Sequence, residues 1–407
     1  MSAFDVSGQS NDFTPIDPLV NVLRTLEISA RSSGRSSMPI IVAAVLTLPL
    51  GAMMGPYAPF VWICGAVVLY PLLLTTIHEL GHLAAAWVAD FHISLFVVGP
   101  LAIIRNGRSF RLAHSRTKGI AGGVVAVPNN PDNQTGWLVA YVASGAVANL
   151  MSGTVVLVAY LVFPTTPLSQ LFVPVFVAFS FVTALIALVP LQVGAFATDG
   201  RIIIDLLRAE PQGERMRAYW RLFALERQKQ RPRDWDTATL TTALSAADGS
   251  VFDASAWFMS YLHHLDAGRE DIAASFIERA VASLNRVPLL FSAEYFAEAA
   301  YFFVQHGSDP VLARDILRRI ERANVDDITR FRAEAAVLLA EGNTMHASQT
   351  AQRAITLAEE RSDSGIALAE RDLALCLLTR ANSTEPLPQI SQSRSVLDSH
   401  VAITPIA

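Results

Sequence analysis

Charge is what this sequence has least of. Only 16% of its 407 residues are Asp, Glu, Lys or Arg, against about 25% in an ordinary soluble domain. The shortage is concentrated, since none of the four occurs from Met38 through Ile77 or from Asn133 through Thr198. Uncharged apolar runs of that length exceed the roughly 20 residues that cross a bilayer. They exclude a wholly soluble chain, in keeping with a mean hydropathy of +0.37. Cysteine is equally scarce. The two present, Cys64 in an apolar run and Cys376 in an amphipathic one, exclude a disulfide framework. A cleavable leader is not expected either, because the polar residues 1–37, with Asp5, Asp12 and Asp17, precede the first apolar run. The net charge of −5 hides an asymmetry, most charged residues falling after Asp199, and no nucleic-acid partner is expected.

What is present reads as an all-α polytopic membrane protein with an appended soluble domain. Residues 1–37 form a polar, mostly disordered tail in which PLVNVLRTLEI is a candidate interfacial helix. Four spans follow, at about 38–54, 60–89, 134–163 and 168–191, with GPYAP and PTTP as tight connections that contain no Lys or Arg. Arg24, Arg31 and Arg35 precede the first span. Arg105, Arg108, Arg111, Arg116 and Lys118 lie between the second and third, and Arg201 and Arg208 follow the fourth. By the positive-inside rule, both termini and the 91–135 loop are cytoplasmic, and a cell (inner) membrane is the expected location. Within that loop, Asn106-Gly107 between two short apolar runs predicts a hairpin, and GGVVAVP a further strand. Such an insert either shields the span ends or pairs with an extended peptide.

After the spans (domain 38–208) comes a basic juxtamembrane segment, 209–234, carrying Tyr219, Trp220 and Phe223. It suits either the anionic leaflet surface or a packed helix. Residues 235–380 carry a weak repeat. Ala273, Ile277 and Ala280, then Ala313, Leu317 and Ile320, then Ala347, Ala351 and Ala354 keep the same offsets after Gly268, Gly307 and Gly342. This resembles degenerate tetratricopeptide repeats and predicts an α-solenoid-like domain. It is expected to bind a protein partner or substrate tail and to do no chemistry, leaving metal binding to the membrane domain. The tail 381–407 is read as disordered.

Chemistry is carried by His78, Glu79 and His82 in TTIHELGHLAAAWVAD. Four residues apart on a helix, the two imidazoles point to one side and can share a metal, while Glu79 sits about 100° round, beside a metal-bound water. Zinc takes such ligands, lowers the pKa of its water to about 7, and leaves a carboxylate to accept the proton. A salt-bridged helix face is the plain alternative, but ionisable groups inside an otherwise uncharged span are costly unless paired or liganded. A third ligand is needed from Asp90, His92, His114, Asp132, Asp199 and Asp205. Asp199 stands out. From Phe60 to His78 is about 27 Å of helix, so His78 lies near the end where the fourth span exits and Asp199-Gly200 follows.

These motifs, with SGAVANL on the third span, resemble the site-2 protease family of intramembrane zinc metalloproteases, across a core of 60–200. The resemblance implies one zinc per chain held by His78, His82 and Asp199, with Glu79 as the base. It implies that Gly145 serves close packing, that Asn149 supports the substrate backbone or oxyanion, and that Gly122 and Gly123 begin a strand that pairs with unwound substrate. Two features depart from the family pattern. Ala187 stands where an Asn is usual, and the stretch from Pro190 to Asp199 is longer. The expected activity is hydrolysis of peptide bonds within or near transmembrane segments of membrane-anchored substrates, in regulated proteolysis or signal-peptide clearance, with lipid and transmembrane peptides as partners. A non-catalytic membrane scaffold is the alternative, and a metal or ion transporter ranks behind it for want of a continuous polar path.

Overall fold

The computed structural model describes residues 22–27, 38–106, 109–114, 122–131, 135–208, 210–285, 287, 289–306, 310–321, 323, 325–361 and 364–383. Among them, three helices are long and apolar enough to cross a membrane: Gly55–Val88, which opens with a 3-10 turn, Thr135–Val162 and Pro167–Leu188. The first expected span is helical over Met38–Met53, but its 16 residues cover only about 24 Å. It packs closely on the next helix, where a Cβ on Gly65 would lie 2.0 Å from Thr47 Oγ1.

The span helices meet at small residues, as helices in lipid must when packing replaces the hydrophobic effect. A Cβ on Gly81 would fall 2.4 Å from the Ser144 carbonyl, and one on Gly153 2.8 Å from Ser180 Cβ. The last span helix stops at Leu188. Val189 caps it in an extended conformation because it precedes Pro190, whose ring disfavours helical geometry one residue before it.

Between the first two of these three helices lies a four-stranded antiparallel sheet of β1 (Phe91–Val98), β2 (Leu101–Asn106), β3 (Ser109–His114) and β4 (Gly122–Pro128), in the order β3-β2-β1-β4. The expected hairpin is β2–β3, closed by the pair Asn106↔Ser109. Asn106 is therefore the last strand residue, and Gly107 lies outside the described residues. The expected strand is β4, at the sheet edge. Strand β1 was not anticipated, although it pairs with β2 on one side and β4 on the other.

Among the described residues the C-terminal part has helices and no strand, and opens with Pro211–Arg227. Arg215 of that helix is buried and paired with Asp248 and Asp253. Tyr219 sits edge-on to Phe223 and Phe252, at 4.9 and 5.0 Å. This part of the juxtamembrane segment is a helix packed on the rest of the chain. The repeat positions fall on Glu270–Ala282, Pro310–Ile320 and Thr344–Glu360, where Ala273, Ile277, Ala280, Ala313, Ile320, Ala347, Ala351 and Ala354 are all buried and Leu317 packs against the same core. Residues 22–27 are helical, and Val22 and Leu26 join that core. This part of the N-terminal tail docks on protein. A second cluster, including Ala86, Phe91, Ala126, Tyr141, Leu206 and Met216, ties the span ends and the sheet to the first C-terminal helices.

Candidate metal centre

His78, Glu79 and His82 lie in the last third of the helix Ala58–Val88, which continues unbroken through Pro71. Their surroundings are set by what its neighbours lack. A Cβ on Gly145 of the helix Thr135–Val162 would lie 2.5 Å from His82 Nε2 and 2.6 Å from His78 Nε2. A Cβ on Gly122 of β4 would lie 2.7 Å from both Glu79 Cγ and Oε1. Both glycines are there for close approach. Gly123 is different, since a Cβ there meets nothing within 4 Å.

The third candidate ligand arrives by a detour. After Leu191 the chain forms a short hairpin, β5 (Gln192–Val193) paired with β6 (Phe196–Ala197). Gly194 supplies the turn with φ +66°, a conformation that costs glycine least. Thr198 closes the loop. Its backbone N–H donates to the Leu191 carbonyl at 2.9 Å, and its hydroxyl donates to the Val189 carbonyl at 2.6 Å. Leu191 N–H in turn donates to Thr198 Oγ1 at 3.0 Å. The extra residues between Pro190 and Asp199 are therefore folded out, and Asp199 opens the helix Asp199–Leu207 beside the histidines. Gly200 has its own reason. A Cβ there would be 1.9 Å from the Leu188 carbonyl, so only a glycine lets this helix abut the span end.

The three side chains converge. Asp199 Oδ2 is 3.0 Å from His78 Nε2 and 3.6 Å from His82 Nε2, and the two Nε2 atoms are 3.1 Å apart. Despite the short approach, Asp199 Oδ2 makes no hydrogen bond of good geometry. All three ligand atoms lie within 3.6 Å of one another. A tetrahedral ion with bonds of about 2.0–2.1 Å sets its ligand atoms about 3.3 Å apart, so the set fits zinc. Among the described residues this is the one His/Cys/Asp/Glu group with metal-site spacing. Burial pushes the Asp199 carboxyl up, but the two histidines outweigh it and hold the group below its ordinary value.

The ring nitrogens facing away from this point are also engaged. His82 Nδ1 donates to the Tyr141 carbonyl at 2.8 Å, which fixes the proton there and leaves Nε2 its lone pair. His78 Nδ1 faces the Asn149 amide at 3.5 Å, and that amide also reaches Thr183 Oγ1 at 3.3 Å. Asn149 is 1% exposed and its Oδ1 has no partner. The two amide ends have the same shape, and turning Oδ1 toward His78 would give a protonated Nδ1 its acceptor. Glu79, 6% exposed, likewise has an unpartnered oxygen, Oε2.

The other candidate ligands lie apart. Asp205 is bonded to Arg201 at 2.8 Å, and Asp90 terminates its helix with φ +55°. His92 is on β1 and lines the cavity without joining the cluster, His114 ends β3, and Asp132 is outside the described residues. Sequence reasoning missed Tyr141, Thr183 and Thr198. Thr183 had a signal, since it lies one helical turn before Ala187 and both line the cavity beside Asn149.

That cavity, of about 1090 Å³, runs from the three ligands past β4 and an aromatic wall including Trp220 and Phe252 to the C-terminal helices. A buried carboxylate beside a three-ligand point in an open cavity can accept a proton from water delivered there.

The model of the family described as Peptidase family M50 matches residues 66–331, well over half of the chain. That stretch contains every side chain described at this centre. Searches of curated proteins and of solved structures found no match.

Proposed function

The chain belongs to peptidase family M50, whose members are zinc metalloproteases, and from that membership and the site's geometry we propose that it is an intramembrane zinc metalloendopeptidase. It cleaves membrane-anchored substrates within or near their transmembrane segments, as in regulated proteolysis or signal-peptide clearance. The observation that carries the reading is the convergence of His78 Nε2, His82 Nε2 and Asp199 Oδ2 beside the buried Glu79.

In this reading His78, His82 and Asp199 hold one zinc per chain. When bound, zinc supplies a Lewis acid that polarises the scissile carbonyl and lowers the pKa of water to about 7. Glu79 accepts the proton at its carboxylate and returns it to the leaving nitrogen. Tyr141 O and Asn149 keep the imidazoles turned toward the site, and Asn149 also faces the substrate backbone or oxyanion. A transmembrane helix hides its carbonyls in its own hydrogen bonds, so the segment must unwind before attack. Strand β4, an edge strand whose Gly122–Val125 line the cavity, is suited to hold the extended form by adding it as a further strand. Gly122, without a side chain, keeps that strand against Glu79.

The arginine-rich connections support a cytoplasmic site and cytoplasmic termini in the cell membrane, and Met38–Met53 is taken as a fourth, short span. The C-terminal helices are taken as a tetratricopeptide-like solenoid that binds a protein partner or substrate tail. A non-catalytic scaffold would have no use for Glu79, buried with an unpartnered oxygen. The test is bound zinc together with cleavage of a transmembrane peptide by the detergent-purified chain. Glu79→Gln should keep the zinc and lose about 10²–10⁴-fold in rate, the range of a general base. Undiminished cleavage by a zinc-loaded Glu79→Gln would refute the assignment.

A further inference from the structure

The hairpin Gln192–Ala197 does more than bridge a gap. Leu191 and Thr198 already pair across its base, and a two-residue turn would suffice to join them. The chain instead makes a six-residue excursion (residues 192–197) and docks its far end on the C-terminal helices. The Ala195 carbonyl accepts a hydrogen bond from Val251 N–H at 2.8 Å, and Gln192 Nε2 donates to the Asp248 carbonyl at 3.2 Å. The Phe196 ring lies edge-on to Phe291 at 5.8 Å. Ala195 is 3% exposed and belongs to the same core as Ala218, Leu222 and Ala254. Within the hairpin the docked side is Ala195 and the half-buried Phe196, while Val193 stays exposed.

The receiving loop is itself held in shape. Arg215 Nη1 donates to the Ala246 carbonyl at 3.0 Å and to Asp248 Oδ1 at 3.2 Å, and its other terminal nitrogen pairs with Asp253. Gly249 N–H donates to Asp253 Oδ2 at 2.6 Å, and Ser250 N–H to Asp248 Oδ1 at 3.0 Å. A buried guanidinium with two carboxylates thus fixes the backbone that meets the hairpin.

We propose that the C-terminal helices are a structural part of the metal centre, setting the position of the Asp199 carboxylate by gripping the hairpin that leads into it. The inference rests on Asp199 being a zinc ligand. The hairpin is clamped at two places, by Thr198 to the span end and by Ala195 to the C-terminal helices, and Asp199 is the next residue after the first clamp. Loosening the second leaves the carboxylate held by the Thr198 closure and its own helix, without the hairpin's grip on the residue before it. Partners that orient metal ligands from outside the coordination sphere typically govern about 10–100-fold in affinity. The activity of the site is then coupled to whatever the C-terminal helices bind, and by linkage the coupling runs both ways.

The experiment measures zinc affinity of the full-length chain in detergent by competition with chelators of graded strength, alongside thermal melting. Replacing Gln192–Ala197 with Asn-Gly keeps the Leu191–Thr198 closure and removes the docking. Phe291→Ala weakens the docking from the other side without touching the hairpin. Both should lower zinc affinity by about 10–100-fold. Phe276→Ala, which removes an aromatic contact with Trp257 elsewhere in the C-terminal helices, should lower the melting temperature and leave zinc affinity unchanged. Wild-type affinity in both the Asn-Gly chain and Phe291→Ala would overturn the proposal, as would an equal loss in Phe276→Ala. If the Asn-Gly chain fails to fold, Phe291→Ala against Phe276→Ala decides. Failure of the ligand assignment has a different signature, an Asp199→Ala chain that binds zinc as tightly as wild type.

Discussion

The sharpest test of the metal centre is one methyl group. Alanine at position 145 would place its Cβ 2.5 Å from His82 Nε2 and 2.6 Å from His78 Nε2. To restore an ordinary contact of about 3.4 Å, the two nitrogens would have to retreat by about 0.9 and 0.8 Å, whereas a metal site tolerates about 0.2 Å. The expected loss in zinc affinity is at least about 10–100-fold, equivalent to about 1.4–2.7 kcal/mol. Backbone propensity works in the opposite direction, since alanine is better than glycine inside a helix by about 1 kcal/mol. Gly145→Ala should therefore lose metal without losing helix. The assay is chelator competition for zinc with a parallel melt of the zinc-free chain. Gly136→Ala is the control, because a Cβ there meets nothing within 4 Å on the same helix. Wild-type zinc affinity in Gly145→Ala would refute the placement of the imidazoles under this glycine.

Asp199→Ala should lower zinc occupancy, measured by elemental analysis after dialysis. Asp205→Ala, which loses the pair between this buried carboxylate and the more exposed Arg201, should keep the zinc. In the C-terminal helices Arg332 is fully buried, 2.5 Å from Glu298 Oε1 and 3.9 Å over the Tyr301 ring. Arg332→Ala should destabilise the chain by about 3–5 kcal/mol, by leaving the buried Glu298 carboxylate without its cation, as read by denaturant unfolding. Burial, with Glu298 and Asp326 nearby, pushes the Glu370 carboxyl up to about 8 although Arg332 opposes it. Between about pH 4.5 and 8 the unfolded chain has lost this proton and the folded chain still holds it. The stability that this proton contributes should therefore be lost as pH rises through that window, and Glu294, also buried and held above its ordinary value, adds a loss of the same sign. Glu370→Gln should flatten that slope, and an unchanged slope would remove Glu370 as its source.

The three long apolar helices and the meeting of His78, His82 and Asp199 were legible in the sequence because each follows from a local rule. Uncharged apolar length marks the spans, the spacing of His78 and His82 puts both on one helix face, and the depth of His78 puts it at the end where Asp199 follows the last span. What was not legible depends on distant partners. Strand β1 reads FHISLFVV, mixing polar and apolar residues without clean alternation. It is a strand because β2 and β4 flank it. Nothing in the Pro190–Asp199 stretch says that its extra length is docked, since that contact is made by residues some fifty positions later. Val22 and Leu26 look like part of a polar tail until the C-terminal core they enter is assembled. Ala187 reads as a missing polar group. Yet Thr183, four residues earlier, presents its hydroxyl to Asn149 from the same helix.

The unequal lengths of two neighbouring helices bear on the lipid around them. Met38–Met53 covers about 24 Å, and Ala58–Val88, packed on it through Gly65, about 46 Å. A hydrocarbon core is about 30 Å thick. If Met38–Met53 is the fourth span proposed above, it is too short for such a core and its neighbour too long. Hydrophobic mismatch of the first kind is relieved by thinning the membrane, at a fraction of a kcal/mol per Å. Of the long helix, about 30 Å is spent between Ala58 and His78, so with Ala58 at one face of the core the histidines would lie at the other. A transmembrane segment arriving where the bilayer is thinned has more apolar length than the lipid there can cover, and its end turn is the first to leave hydrocarbon. Membrane thickness thereby becomes a determinant of which helix ends are free to fray.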